Sequence, residues 1–111
     1  MNMNTARALV VDDDDAVATV LVGLLSQAGH KARAVSSGED ALAWLDREEW
    51  DLVLTDLRMP GMDGLELLDR VKRASPATEV ILMTAYATVE TARTALKRGA
   101  VDYLMKPVSA E

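Results

Sequence analysis

Five polar residues each close a short apolar run. Asp12 and Asp13 follow Ala8–Val11, Asp56 follows Leu52–Thr55, Thr84 follows Val80–Met83, and Lys106 follows Tyr103–Met105. Brought together, they would supply three carboxylates, one hydroxyl and one ammonium. Three negative charges within a few ångströms cannot persist unpaired, so the set demands cations. Oxygen-only donors suit a hard ion such as Mg²⁺, which with the Lys106 ammonium would bring the formal charge to zero. Such a site suits phosphoryl transfer, which asks mainly for positioning and charge neutralisation. A carboxylate is already ionised at neutral pH, so an aspartate could act as nucleophile without a general base. The only histidine, His30, lies between the first helix and the second strand and is read as an exposed loop residue. An EF-hand does not fit, because the acids Asp12–Asp15 are contiguous and no glycine sits at the sixth loop position.

The elements that must position these residues follow from hydrophobic periodicity. Ala8–Val11 reads as a first strand, and Val17, Val20, Leu21, Leu24 and Leu25 fall on one face of a first helix that Gly29 stops. Residues 31–35 read as a weak second strand. Ser36-Ser37-Gly38-Glu39 has the shape of a capping box opening a helix with Ala41, Leu42 and Leu45 inward. Leu52–Thr55 is the third strand. The Pro/Gly loop Arg58–Gly64 follows, then a helix begun by Asp63 and Glu66 with Leu67, Leu68, Val71 and Ala74 inward. Val80–Met83 is the fourth strand. An alanine-rich helix over roughly 87–98 follows it, with Val89, Ala92 and Leu96 on one side and Gly99 as its stop. Tyr103–Met105 is a short fifth strand. Trp44, Trp50 and the methionines at 59, 62, 83 and 105 read as packing and turn residues.

Strands alternating with helices need crossover connections, which predicts a parallel sheet with helices on both faces. Ligands bind such sheets beyond the carboxyl ends of the strands, where the five polar residues fall.

Composition bounds the rest. The chain has 111 residues, room for one domain with one core, and its 50% apolar and 27% charged residues are a globular balance. No cysteine is present, which removes disulfides, thiolate chemistry and Cys-ligated metals. No apolar run could span a bilayer and Met1–Thr5 is no signal peptide, so a cytoplasmic protein with no membrane contact is expected. The net charge is −6, and without Asp12–Asp15 the remainder would sit near −2. With no basic cluster, the domain is not expected to bind nucleic acid itself.

From Arg7 to Pro107 the chain resembles the receiver domains of two-component response regulators. The resemblance is carried by Leu9-Val10-Val11-Asp12-Asp13, Asp56–Gly64, Met83-Thr84-Ala85 and Asp102–Pro107, in that order. Thr84–Ala92 is similar to the NtrC branch, whose members switch AAA+ transcription activators. The resemblance implies a flavodoxin-like (CheY-like) three-layer α/β/α fold with a five-stranded parallel sheet of order 2-1-3-4-5. It implies Asp56 as phosphoacceptor, with Asp12, Asp13, Asp56 and the Arg58 carbonyl holding Mg²⁺. Thr84 matches the switch hydroxyl, Lys106 the phosphate-contacting lysine and Tyr103 the rotating aromatic, and Lys106-Pro107 is expected to be cis. The implied donor is a sensor histidine kinase, and the implied output an AAA+ and DNA-binding portion of a longer regulator. Arg58 and Tyr86, beside the site, are expected to tune how long the acyl phosphate survives.

One departure concerns the end of the chain. Receiver domains close with a fifth helix, whereas only Val108–Glu111 follow the Lys-Pro pair. The expectation is a single receiver domain, residues 1–111, cut from a longer regulator, with its final helix truncated and residues 1–6 flexible. The first helix, apolar from Ala16 to Leu25 except at Thr19 and Gly23, would then expose a patch that either drives homodimerisation or leaves the fold marginally stable. Two readings rival a stoichiometric phosphoacceptor. A Mg²⁺-dependent phosphohydrolase would need a substrate pocket or cap and an acid where Arg58 stands. A phosphorylation-independent interaction module would have lost some member of the Asp, Asp, Thr, Lys set, and none is missing.

Overall fold

The computed structural model describes residues 5–85 and 88–106. Five strands, β1 (Arg7–Val11), β2 (Lys31–Val35), β3 (Leu52–Asp56), β4 (Glu79–Thr84) and β5 (Asp102–Met105), form one parallel sheet in the order β2-β1-β3-β4-β5. Four helices, α1 (Asp15–Gln27), α2 (Gly38–Arg47), α3 (Gly64–Ala74) and α4 (Val89–Lys97), alternate with them. The expected three-layer, flavodoxin-like architecture is therefore present.

Strand side chains alternate between the two faces. Leu9, Val11, Val53 and Leu82 pack with residues of α2, α3 and α4, whereas Val10, Leu54 and Met83 pack with Ala18 and Leu21 of α1. Trp50 meets Trp44 edge-on, with ring centres 6.4 Å apart, so both tryptophans are packing residues as expected. Gly29 (φ 94°) and Gly99 (φ 108°) stop α1 and α4 in the left-handed region that glycine tolerates. Behind each, the next residue folds back: His30 N–H donates to Leu25 O and Ala100 N–H to Ala95 O, both at 3.0 Å.

Several local expectations are corrected. Val20 is 54% exposed, because the buried stripe of α1 runs through Ala18 and Leu21 instead. Val89 (75%), Leu96 (50%) and Met105 (59%) also face outward. In α4 the buried residue is Ala95, one step round the helix from Leu96. Ala74 is exposed at the end of α3. The cap of α2 is Ser37 rather than Ser36, its hydroxyl accepting from Asp40 N–H at 3.1 Å. His30 is half-buried rather than exposed, and its Nδ1 accepts from Ala6 N–H at 3.0 Å. Ala6 O in turn accepts from Lys31 N–H, which ties Ala6 to the sheet's lower edge. Among the described residues, no helix is long and apolar enough to cross a membrane. Tyr86, the Lys106-Pro107 bond and Val108–Glu111 lie outside them.

Candidate functional site

In the order β2-β1-β3-β4, the connection from β1 runs to β2 and that from β3 runs the opposite way to β4, which opens a crevice at the carboxyl ends of β1 and β3. Asp12 and Asp56 stand on its two sides. Asp12 is held from below, its N–H donating to Val35 O at 3.1 Å, and is 1% exposed. Both its carboxylate oxygens are engaged. Oδ1 accepts from Asp14 N–H at 2.9 Å, and Oδ2 from Lys106 Nζ at 2.7 Å. Asp14 is the cap of α1, its own carboxylate accepting from Ala16 and Val17 N–H, so one short turn both starts the helix and orients Asp12. Asp13, next along the chain, is exposed.

Asp56 is 9% exposed, and its Oδ2 lies 3.3 Å from Lys106 Nζ. Burial is the main reason its carboxyl titrates above the usual 3.8, and the Asp12 charge pushes the same way. The Lys106 ammonium and the Arg58 backbone N–H oppose both. Burial alone would lower Lys106. Its bond to Asp12 and the charges of Asp12 and Asp56 outweigh that and raise it above 10.5. A buried carboxylate whose own environment disfavours its charge, beside two further acids, is short of positive charge.

Oxygen atoms from Asp12, Asp13 and Asp56 all lie within 4.8 Å of one another. Ligand oxygens around an octahedral Mg²⁺ stand about 3–4 Å apart, so this donor set fits a small hard cation with little adjustment. The three acids and Lys106 were legible from the sequence as a cluster, and the fold brings all four together.

Thr84 is 1% exposed at the end of β4, and its carbonyl accepts from Lys106 N–H at 2.9 Å, joining the ends of β4 and β5. Tyr103 lies opposite Leu82 on β5, two residues behind the level of Thr84, on the same sheet face. The Tyr103 phenol reaches α4, 2.9 Å from the Thr91 hydroxyl.

Sequence reasoning missed two supporting residues. A Cβ on Gly64 would meet the Asp56 carbonyl oxygen at 2.4 Å and Leu57 Cα at 2.9 Å, so only glycine lets α3 begin directly against the end of β3. The Asp-Gly pair at 63–64, at the end of a Pro/Gly loop, was the available signal. Thr91 carried no signal, because its partner is 12 residues away.

The model of the response regulator receiver domain family matches residues 8–111. The transcriptional regulatory protein ZraR of Salmonella typhimurium is 48% identical over 100 residues, covering 90% of this chain and 23% of its own length. The DNA-binding transcriptional regulator NtrC of Klebsiella pneumoniae is 42% identical over 105 residues, 95% of this chain and 22% of its own. The chain thus spans under a quarter of the curated relatives it matches. The solution structure of the beryllofluoride-activated NtrC4 receiver domain dimer superposes with a TM-score of 0.88 at 32% identity, covering 93% of this chain and 85% of that one.

Proposed function

The chain belongs to the response regulator receiver domain family, in its NtrC-like branch, and from that premise we propose that it takes one phosphoryl group onto Asp56 from a sensor histidine kinase. The observation that carries this reading is a buried carboxylate, Asp56, flanked by Lys106 and by two further acids at cation-binding spacing. An Asp56 oxygen attacks phosphorus in line, and the P–N bond to the donor histidine breaks with its electron pair going to that nitrogen. The product is an aspartyl phosphate. Asp12, Asp13, Asp56 and the Arg58 carbonyl are the groups that would hold Mg²⁺, which when bound supplies the positive charge the phosphoryl oxygens require. Lys106 adds its ammonium to the same oxygens, and Asp12, fixed by Asp14 and Lys106, orients the ammonium. The Thr84 hydroxyl then donates to a phosphoryl oxygen, and Tyr103 turns inward behind it.

The domain acts on this reading as a stoichiometric switch rather than a turnover enzyme. The surface it switches is α4 and β5, where Val89, Leu96, Val101 and Met105 are exposed. Homodimerisation and control of an AAA+ and DNA-binding output in a longer cytoplasmic regulator are its consequences. With a net charge of −6, the domain itself leaves DNA contact to that output.

The test is intact mass after incubation with a small acyl phosphodonor and Mg²⁺. One added phosphoryl group on the parent, absent without Mg²⁺ and absent in Asp56→Asn, is the expected result. A folded parent that takes no adduct from the donor, or an Asp56→Asn protein that still takes one, overturns it.

A further inference from the structure

The Thr91 hydroxyl lies at the centre of four polar contacts. Thr88 N–H donates to it at 3.2 Å, and Thr91 Oγ1 lies 3.1 Å from the Thr88 carbonyl, 2.9 Å from the Thr88 hydroxyl and 2.9 Å from the Tyr103 phenol. A hydroxyl has one proton to give and two lone pairs. It can therefore satisfy at most three of these contacts at once. Thr88 N–H takes one lone pair, and when the proton goes to the Thr88 carbonyl, a single lone pair remains. The Thr88 hydroxyl and the Tyr103 phenol both compete for it.

The first of these contacts is one half of the capping box of α4, whose other half is Thr91 N–H donating to Thr88 Oγ1 at 3.0 Å, and the next two also run between Thr91 and Thr88. The fourth is the tie from this first turn to the sheet, through β5. Among the described residues, little else holds α4 there. Its one fully buried side chain is Ala95, Val89 is 75% exposed, and the ion pair of Arg98 with Asp69 at 3.3 Å lies exposed past the helix's other end.

We propose that Thr91 is a catch: its hydroxyl holds the Tyr103 phenol against the first turn of α4 in the unphosphorylated protein, so that the ring position and the seating of that turn are one two-state element. The proposal deepens the phosphoacceptor reading and rests on it for what opens the catch. When the phenol leaves, the Thr88 hydroxyl takes the vacated lone pair. The cap therefore stays satisfied while the tie to the sheet is lost. The helix survives release, and what changes is its attachment. This separates the residue's role from that of an ordinary cap, whose loss would unravel the turn.

The test is amide hydrogen exchange along α4, followed by NMR, in the parent, Tyr103→Phe, Thr91→Ser, Thr91→Val and the Thr91→Val/Tyr103→Phe pair. Tyr103→Phe removes the phenol and leaves the cap intact, so it should raise exchange of the first-turn amides of α4 about 5- to 10-fold, the size expected for one lost hydrogen bond. Thr91→Ser, which keeps the hydroxyl, should exchange like the parent. The double variant should exchange no faster than Thr91→Val alone, because both changes remove the same bond. Phosphorylated parent should exchange like Tyr103→Phe.

Parent-like protection in Tyr103→Phe, additive effects in the pair, or unchanged protection after phosphorylation would each overturn the catch. The exchange of unphosphorylated variants needs no phosphoryl group. If the parent takes no adduct yet Tyr103→Phe loosens α4, the catch stands while the phosphoacceptor reading falls. If the adduct forms and Tyr103→Phe changes nothing, the catch alone falls.

Discussion

Helices α3 and α4 follow the two strands that end in Asp56 and Thr84, and both open on well-formed caps. They are fastened very differently. Beyond its cap, α3 buries Gly64, Leu67, Leu68 and Val71 completely or nearly so, whereas α4 buries Ala95 alone. A buried leucine contributes about 1.5–3 kcal/mol, so α3 carries several times the apolar hold of its neighbour. On the proposed function, the difference separates two tasks within one sheet. The side bearing Asp56 would keep a carboxylate fixed to a fraction of an ångström for phosphoryl transfer. The side bearing Thr84 and Tyr103 would move when charge arrives, and a segment that moves is drawn from the low-stability end of the molecule.

The largest effect should come from breaking the fixed side. Leu68→Ala removes a fully buried side chain between α3 and the sheet, and should cost about 3 kcal/mol in urea unfolding. A cost below about 1 kcal/mol would mean that α3 is no better fastened than α4, and the contrast would collapse. Gly64→Ala comes next, at about 2 kcal/mol, because its Cβ meets backbone rather than a flexible side chain. Its sharper signature is chemical. The displaced atom is the Asp56 carbonyl, so phosphoryl uptake should slow markedly in a protein that is still folded. Uptake at the parental rate would show that α3 can shift without moving the nucleophile.

Much of this contrast was legible in the chain, though not all of it. The five polar residues that end strands could be read because a parallel α/β sheet sends all its strand ends to one edge, whatever the details of packing. Leu67, Leu68 and Val71 could be read because large apolar residues on one face leave no alternative. Helix α4 was misread because its stripes compete: Val89, Ala92 and Leu96 form one apolar line, and Thr91 and Ala95 form another beside it. Only contact with Tyr103 and the sheet selects the second. Val20 in α1 was misplaced for the same reason, since that helix is apolar nearly all round. The hydrogen bond of Thr91 with Tyr103 lay beyond reading, because periodicity places residues on faces and says nothing of which hydroxyls meet.

Charge supplies a further test on the fixed side. The carboxyl of Asp56 is raised above 3.8 in the folded protein, chiefly by burial, so its ionised form opposes folding at neutral pH. In the absence of divalent cations, Asp56→Asn should therefore melt at a higher temperature than the parent. The gap should narrow as pH falls through the raised pKa, where the parent's carboxyl takes up its proton. Lys106 has the opposite sign. With its pKa raised above 10.5, its pairing with Asp12 and Asp56 stabilises the fold fully below pH 10.5 and is lost as pH rises through the folded value. Melting curves from pH 4 to 12 with and without Mg²⁺ would show both limbs, and Mg²⁺ should raise the parent's melting temperature more than that of Asp56→Asn. A parent already more stable than Asp56→Asn without metal would contradict the strained carboxylate.

The smallest effect on stability is expected on the mobile side and carries the most information about output. Leu96 is half exposed on the outer stripe of α4, beside Val89 at 75%, and Leu96→Gln should change unfolding free energy by no more than about 0.5 kcal/mol. A residue that contributes so little to the fold yet keeps a large apolar surface in water is placed for contact with something else. If α4 and β5 form the switched surface, sedimentation of the phosphorylated protein should show self-association in the parent that Leu96→Gln weakens, while Val20→Gln on the other face of the sheet leaves it intact. Association lost in Val20→Gln and retained in Leu96→Gln would move the interface to α1, and the loosely held helix would then need a role other than output.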